Sequence, residues 1–464
     1  MQGGQQFPGG QHPGQPMGGH PMPGGGQFPG HQMPGQQMPG QQMPGQQMPG
    51  QQMPGQQMPG QQVPGQQPMP HQQFGASGAR VKKNPIVGPI IGALLGVVGL
   101  ILMLILIFLT DSPTYSKLVA FVVTGIVAAI GLIFYRWLDR WEPEPPFLLI
   151  IAFLWGAGVA TFFGSLVNDF NAALFGDGFA AVVSAPFGEE FFKSLFLVLV
   201  LFTSTRGRRE LNSLTDTLIY AGIVGLGFTF LEDIIYIIRV GQTPEELAFI
   251  VFVRIGLGAF GHSLYQSIFA VGLWAGIRRG GASAWIFGIL GYLGAVALHM
   301  IHNGVSQFGI GALVIVLLLE FVIFVVGIVI AIRSSIGERK NLEMQLPSMV
   351  HFGWVTPREA GWLANMQARK QILKQAGPHE QVLKDFIQNA TELAHLRTRL
   401  DQMKIPPSQG LLENHADLAA LLHEQRSVVD QVLGQAQPHA VPGGWPPIQG
   451  HPGPQYPAPQ IPQY

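Results

Sequence analysis

Between Ile86 and Ile332 the chain alternates long apolar runs with short polar breaks. The runs fall at about 86–109, 117–137, 147–167, 179–203, 214–238, 248–277, 284–306 and 309–332. A helix needs roughly 20 apolar residues to cross the hydrocarbon core, and a backbone in lipid must satisfy its own hydrogen bonds. The pattern therefore predicts an all-α, polytopic membrane bundle of about eight transmembrane helices.

Loop charges give the bundle a direction through the excess of Lys and Arg on the cytoplasmic side. Arg80, Lys82 and Lys83 precede the first run, and Arg136 and Arg140 follow the second. Arg206, Arg208 and Arg209 follow the fourth, Arg278 and Arg279 the sixth, and Arg333, Arg339 and Lys340 the eighth. The alternate loops hold only Lys117 and Arg239. Every second loop is basic, which predicts a multi-pass protein of the cell membrane with both termini in the cytoplasm.

The flanks read differently. Residues 1–79 are mostly Gly, Pro, Gln and Met, with five QQMPG pentapeptides from Gln36 to Gly60. Pro and Gly at this density forbid regular structure and predict a disordered tail. Residues 80–340 form the membrane domain. Residues 341–434 turn polar and helical: Thr356-Pro357-Arg358-Glu359 is a capping box with Pro at the first helical position. Gly377-Pro378 ends that helix, and amphipathic stretches follow at about 379–403 and 409–434. This predicts a small cytoplasmic helical region suited to a protein partner. Residues 435–464 return to Pro, Gly and Gln and predict disorder.

Composition narrows the function classes. The chain is 47% apolar and 11% charged, with net charge zero, against about 25% charged in soluble domains. No global field attracts nucleic acid. With no cysteine, there is no disulfide, thiolate nucleophile or Cys-ligated metal. The start of the sequence lacks the charged and apolar regions of a signal peptide.

Against this apolar background a few polar residues stand out. Glu189, Glu190 and Lys193 lie within five residues inside the fourth run, where each charge costs roughly 2.5–3.5 kcal/mol to insert. Helical spacing lets Lys193 neutralise one acid and leaves the other as a poorly solvated base. Glu232 and Asp233 lie in the fifth run, Arg254 and His262 in the sixth, and His299, His302 and Asn303 in the seventh. Asp216 begins the fifth, and Glu320 stands alone in the eighth. At about 1.5 Å per residue, Glu189, Glu232, His262 and His299 fall at similar depth. Two acids and two imidazoles at one level suit water activation, by a carboxylate–imidazole pair or by a bound metal. Read singly, each has a plainer explanation: an intramembrane His can merely join helices, and an acid–lysine group can be a structural ion pair.

These pieces, in order, resemble the PrsW-type intramembrane proteases, relatives of the CAAX-prenyl and bacteriocin-processing membrane proteases. DRWEPEPP (139–146) is similar to the family's acidic, Pro-rich helix entry, and APFGEEFFK (185–193) to its E-E-x-x-K motif. Asp216 through GLGFTFLED (225–233), Arg254 with His262, and LHMIHN (298–303) resemble the later motifs. Asp233 stands where the family commonly has Asn. The resemblance covers roughly 120–310. It implies cleavage of a membrane-anchored protein, such as a single-pass anti-sigma-factor-like regulator in a bacterial plasma membrane. It implies Glu189 and Glu190 as the source of the base, with Lys193 holding the pair and Asn303 binding the developing oxyanion. Glu232, His262 and His299 would offer three ligands to Zn²⁺, and a metal-free glutamate mechanism would use the same residues.

Two other classes use such residues. A transporter or proton relay also places acids and histidines inside a bundle, with internal repeats or broken helices as its signs; no repeat relates the runs. A non-catalytic scaffold would act through the C-terminal helices and the repeat tail.

Overall fold

The computed structural model describes residues 87–203, 211–402, 407 and 409–435. All of these residues belong to the unit Gly75–Tyr464. The QQMPG repeats, the basic residues at 80–83 and 206–209, and the tail after Gln435 lie outside the described residues.

The membrane part is entirely helical. Its elements are α1 (Val87–Leu109), α2 (Thr114–Leu138), α3 (Pro146–Phe175), α4 (177–203) and α5 (Leu214–Val240). There follow α6 (Pro244–Val251), α7 (Gly261–Arg279), α8 (Ser283–Ser306) and α9 (Ile310–His351). Among the described residues, seven helical stretches are long and apolar enough to cross a membrane, with α6 and α7 counted as one. The remaining expected run, the fourth at 179–203, is also one helical rod. Its 27 residues, 177–203, would span about 40 Å at 1.5 Å per residue, and Glu189, Glu190 and Lys193 are what set its composition apart.

Helix α5 lies at the centre: 78% of its most apolar window is buried, against 22% in α1 and 17% in α9. Missing side chains permit this packing. A Cβ on Gly225 would lie 2.6 Å from the His262 carbonyl oxygen, and one on Gly158 would lie 1.9 Å from that of Gly96. Neither position has room for alanine. So α5 runs backbone-close to α7, and α3 to α1.

Among the described residues, three π-helical turns interrupt the α-helices, at Trp155–Ala160 in α3, Ala180–Ser184 in α4 and Phe252–Leu257 after α6. Such turns cluster at functional sites because the extra residue re-aims the helix face. The second turn directly precedes the Glu189/Glu190 segment. The third carries Arg254 and ends at Gly258, and residues 258–260 leave the helix before α7 begins. The sixth run, expected as one helix at 248–277, is therefore broken. His262 is the second residue of a new helix, not the middle of an old one.

Helix α9 continues through Lys340 to His351, beyond its apolar half. Its polar end packs with α10 (Pro357–Leu363), α11 (Met366–Gln375), α12 (Glu380–Gln402) and α13 (Gln409–Gln435). These helices share a core of Leu346, Trp362, Phe386, Leu393 and Leu422, among others. The Thr356/Glu359 capping box forms, and Gly377 takes a positive φ of 52°. The single helix expected before Gly377 is split at Asn365, whose side chain caps α11.

The DRWEPEPP stretch joins these helices to the bundle. Glu142 pairs with His395 of α12 at 2.6 Å, and Arg369 of α11 donates to the Trp141 carbonyl at 2.9 Å. Tyr220 of α5 donates to Glu144 at 2.7 Å, and Ser213 to Glu338 of α9 at 2.9 Å. Asp216 caps α5 in a reciprocal box with Ser213.

Candidate active site

The π turn in α4 and the packing of α3, α5, α7 and α8 bring one polar cluster into the apolar interior. Two pins fix α4. Trp155 donates its indole N–H to the Phe192 carbonyl at 2.8 Å, and Tyr292 of α8 donates to the Phe187 carbonyl at 2.8 Å.

Lys193 sits in the middle, fully buried. Its Nζ donates to Glu190 Oε1 at 2.6 Å and to His262 Nδ1 at 2.8 Å, with the Phe228 ring centre 4.0 Å away. An ammonium can only donate, so His262 Nδ1 accepts, and the proton on Nε2 goes to Glu232 Oε2 at 2.7 Å. His262 is thus held from both sides.

Glu190 is saturated. Besides Lys193, Oε1 lies 3.0 Å from His299 Nδ1, and Oε2 accepts from Gln266 at 2.7 Å. Asn303 donates to His299 Nε2 at 3.3 Å and to the Ala181 carbonyl at 2.9 Å. That fixes the His299 tautomer: Nδ1 carries the proton and Nε2 the lone pair.

Glu189 has the opposite environment. Its Oε1 accepts from Asn168 at 3.1 Å, while Oε2 is buried and makes no hydrogen bond. Oε2 lies 3.9 Å from both His299 Nε2 and Lys193 Nζ. Glu189 lines a cavity of about 670 Å³ together with Glu232, Arg254 and Asn303, and the cavity reaches apolar walls at Leu106 and Leu317.

Glu232 stands at the rim of the cluster, paired with Arg254 as well as His262. Arg254 also donates to Asp233 at 2.6 Å and lies over the Tyr236 ring. Asp233 thus gives Arg254 a second counter-charge. Glu320 is not alone: it accepts from Tyr265 at 2.8 Å and lies 2.9 Å from His302 Nδ1. Tyr265 in turn stacks on His299, with ring centres 4.8 Å apart. His302 belongs to this network and is only about a fifth exposed.

The metal-capable group among the described residues is Glu189, His262 and His299, whose ligand atoms lie within 4.8 Å of one another. Glu189 therefore takes the place in this group that sequence reasoning gave to Glu232. One carboxylate and two imidazoles are a donor set of catalytic zinc, and the orphaned Oε2 with the His299 lone pair are its open atoms. His262 would have to release Lys193 or Glu232 to join them.

Sequence reasoning missed Asn168, Ser184, Gln266 and Tyr265. Asn168 was hidden because hydropathy ends the third run at Val167, whereas α3 continues to Phe175. Gln266 carried a usable signal, one helical turn from His262 on the same face.

Buried acids, imidazoles and a lysine closing on one cavity inside a membrane bundle define a polytopic protein equipped for hydrolytic chemistry. Residues 144–331 match the family model of the PrsW family intramembrane metalloprotease. The match covers less than half of the chain and supports an intramembrane peptidase in general terms. The matched segment contains every cluster residue but neither Glu142 nor α10–α13. No curated protein and no solved structure matches the chain.

Proposed function

We propose that the protein is an intramembrane endopeptidase that cuts a single-pass, membrane-anchored substrate, with Glu189 as the base. The observation that carries this is Glu189 Oε2: buried, without a hydrogen-bond partner and 3.9 Å from the His299 lone pair, on a residue that lines the cavity. A water bridging these two atoms gives its proton to Oε2, and its oxygen attacks the scissile carbonyl carbon. Asn303 turns its amide from the Ala181 carbonyl to the developing oxyanion. Glu189 then returns the proton to the departing amide nitrogen, so the C–N bond breaks and the carboxyl remains. Lys193 and Glu190 hold the two imidazoles in their tautomers. A metal would change that role: Zn²⁺ held by Glu189, His262 and His299 would supply a Lewis acid, with Glu189 then a ligand in place of the base. The basic alternate loops support cytoplasmic termini in a plasma membrane, and α10–α13 then offer a cytoplasmic partner surface.

The test is membrane-fragment proteomics of cells carrying Glu189→Gln against the parent. The expected result is loss of discrete fragments from single-pass proteins; an unchanged fragment set rejects the reading. The break at 258–260 favours one alternative, since transporters place broken helices at their binding sites. Solute or proton flux in proteoliposomes, abolished by the same substitution, would establish it.

A further inference from the structure

Glu189 has two potential partners that would draw it opposite ways. Asn168 holds Oε1 at 3.1 Å, whereas the Lys193 ammonium stands 3.9 Å from Oε2. In a poorly solvated interior an ammonium is the stronger attractor. A carboxylate that closed on it would form a tight ion pair and cease to be an available base. Something keeps the gap open, and Lys193 already spends two donors on Glu190 and His262.

The Asn168 amide cannot flip freely. Its Oδ1 accepts from Ser184 Oγ at 3.1 Å, and Ser184 Oγ accepts in turn from Asn171 at 2.9 Å. Asn171 also donates to the Val167 carbonyl at 3.0 Å. Every donor and acceptor in this chain of bonds has its direction set, so the Asn168 N–H must point at Glu189. Gly164 lies one turn earlier on the same face of α3, where a Cβ would come 3.1 Å from Glu189 Cγ. The helix therefore supports Glu189 twice, by close approach at Gly164 and by the amide at Asn168. Ser184 is the last residue of the π turn, so that turn supplies one link.

We infer that Asn168, fixed by Ser184 and Asn171, is a positioning residue that holds Glu189 by Oε1 and keeps Oε2 off Lys193 and free of any hydrogen bond. This rests on the reading of Glu189 as the base. Asn168→Ala removes the hold, and Asn168→Asp keeps the shape but replaces the donor with a repelling oxygen. Ser184→Ala frees the amide to rotate without touching Glu189.

Two measurements on the full chain in detergent test it. The first is cleavage of a fluorescently tagged single-pass reporter. Both Asn168 variants should lose kcat by about 10- to 100-fold, the usual effect of removing an orienting partner, with KM unchanged and Asn168→Asp not rescuing. Ser184→Ala should fall between them and the parent. The second needs no substrate: modification of Glu189 by dicyclohexylcarbodiimide, located by mass spectrometry. An open carboxyl in apolar surroundings reacts, and one paired with an ammonium does not, so labelling should fall several-fold in all three variants. Parent-like kcat and labelling in Asn168→Ala overturn the inference, as does full activity in Asn168→Asp. Labelling that falls in variants of a parent that cleaves no reporter upholds the positioning and counts against the peptidase reading. A variant with lost helix content is set aside in favour of Ser184→Ala, whose parent-like labelling also overturns the inference.

Discussion

Glu189 and Glu190 approach opposite nitrogens of the same imidazole, His299 Nε2 at 3.9 Å and Nδ1 at 3.0 Å. Adjacent in sequence, the two acids have different jobs. The Glu190 carboxylate is consumed by Lys193, His299 and Gln266. Glu189 keeps one oxygen unbonded.

Both Glu→Gln variants should lose cleavage, but for separable reasons. Glu189→Gln should fold as the parent does, because Asn168 and the cavity accept an amide of the same shape, while kcat falls by about 10²- to 10⁴-fold as a general base is lost. Glu190→Gln removes the counter-charge of a fully buried lysine, and breaking such a pair costs about 3–5 kcal/mol. Its melting temperature in detergent should drop sharply. Equal melting temperatures in the two variants would contradict this division.

The Glu189/His262/His299 group makes metal content measurable apart from activity. Protein purified with Zn²⁺ should retain the ion stoichiometrically by elemental analysis, and His299→Ala and Glu189→Gln should not. Glu232→Gln should retain it, since Glu232 lies outside the trio. Retention by every variant would place the metal elsewhere.

What the sequence disclosed and what it hid follow from different physics. Apolar length marks spans because lipid tolerates only satisfied backbone, and the isolated charges in α4, α5, α7 and α8 marked the cluster because charge there is costly. The π turns left no such mark. Each is a change of backbone phase, which no residue type announces, and the break at 258–260 is written only as a Gly-Ala-Phe-Gly passage inside an apolar run. Depth placed Glu189 and Glu232 alike with the histidines, and the resemblance pointed to Glu232 as the ligand; only the packing shows Glu189 beside both imidazoles while Glu232 pairs with Arg254. The acids of DRWEPEPP read as a helix entry, and nothing local indicated that Glu142 reaches His395, 253 positions later.

Gly225 should be intolerant beyond its effect on helix packing. The alanine Cβ would stand 2.6 Å from the His262 carbonyl oxygen, and overpacking of this kind costs about 1–3 kcal/mol. Because the displaced backbone carries a cluster residue, Gly225→Ala should lose more activity than a helix-packing control of equal destabilisation. Gly158→Ala, against Gly96, supplies that control. Equal activity in the two would remove His262 from the mechanism.

The junction around Glu142 should loosen in alkali. Burial alone would lower the His395 pKa, but the carboxylates of Glu142, Glu338 and Asp216 lift it to about 9. Burial raises Asp139 to about 8, against its bonds from the Glu144 N–H and Arg136. The His395 contribution is complete below its unfolded value near 6.5 and disappears as pH rises through 9. That of Asp139 falls from its unfolded value near 3.9 and is gone above 8. Protection of the amides in 380–402, corrected for intrinsic base-catalysed exchange, should therefore fall between about pH 6.5 and 9, and His395→Gln should abolish that step. An alkaline step surviving in His395→Gln would assign it to another group.

The π turn at Ala180–Ser184 has a genetic consequence. An α-helix advances about 100° per residue, and a π turn holds one residue more than the α-helical turn it replaces. Glu189 and Glu190 face the interior because of that residue, whatever its side chain. Point substitutions across 180–183 can leave the register intact. Loss of a single codon there would rotate both glutamates by about a quarter turn relative to the preceding helix while retaining every residue of the E-E-x-x-K motif. A homologous sequence can thus carry the whole motif and lack the site; what separates the two cases is a length, not a letter.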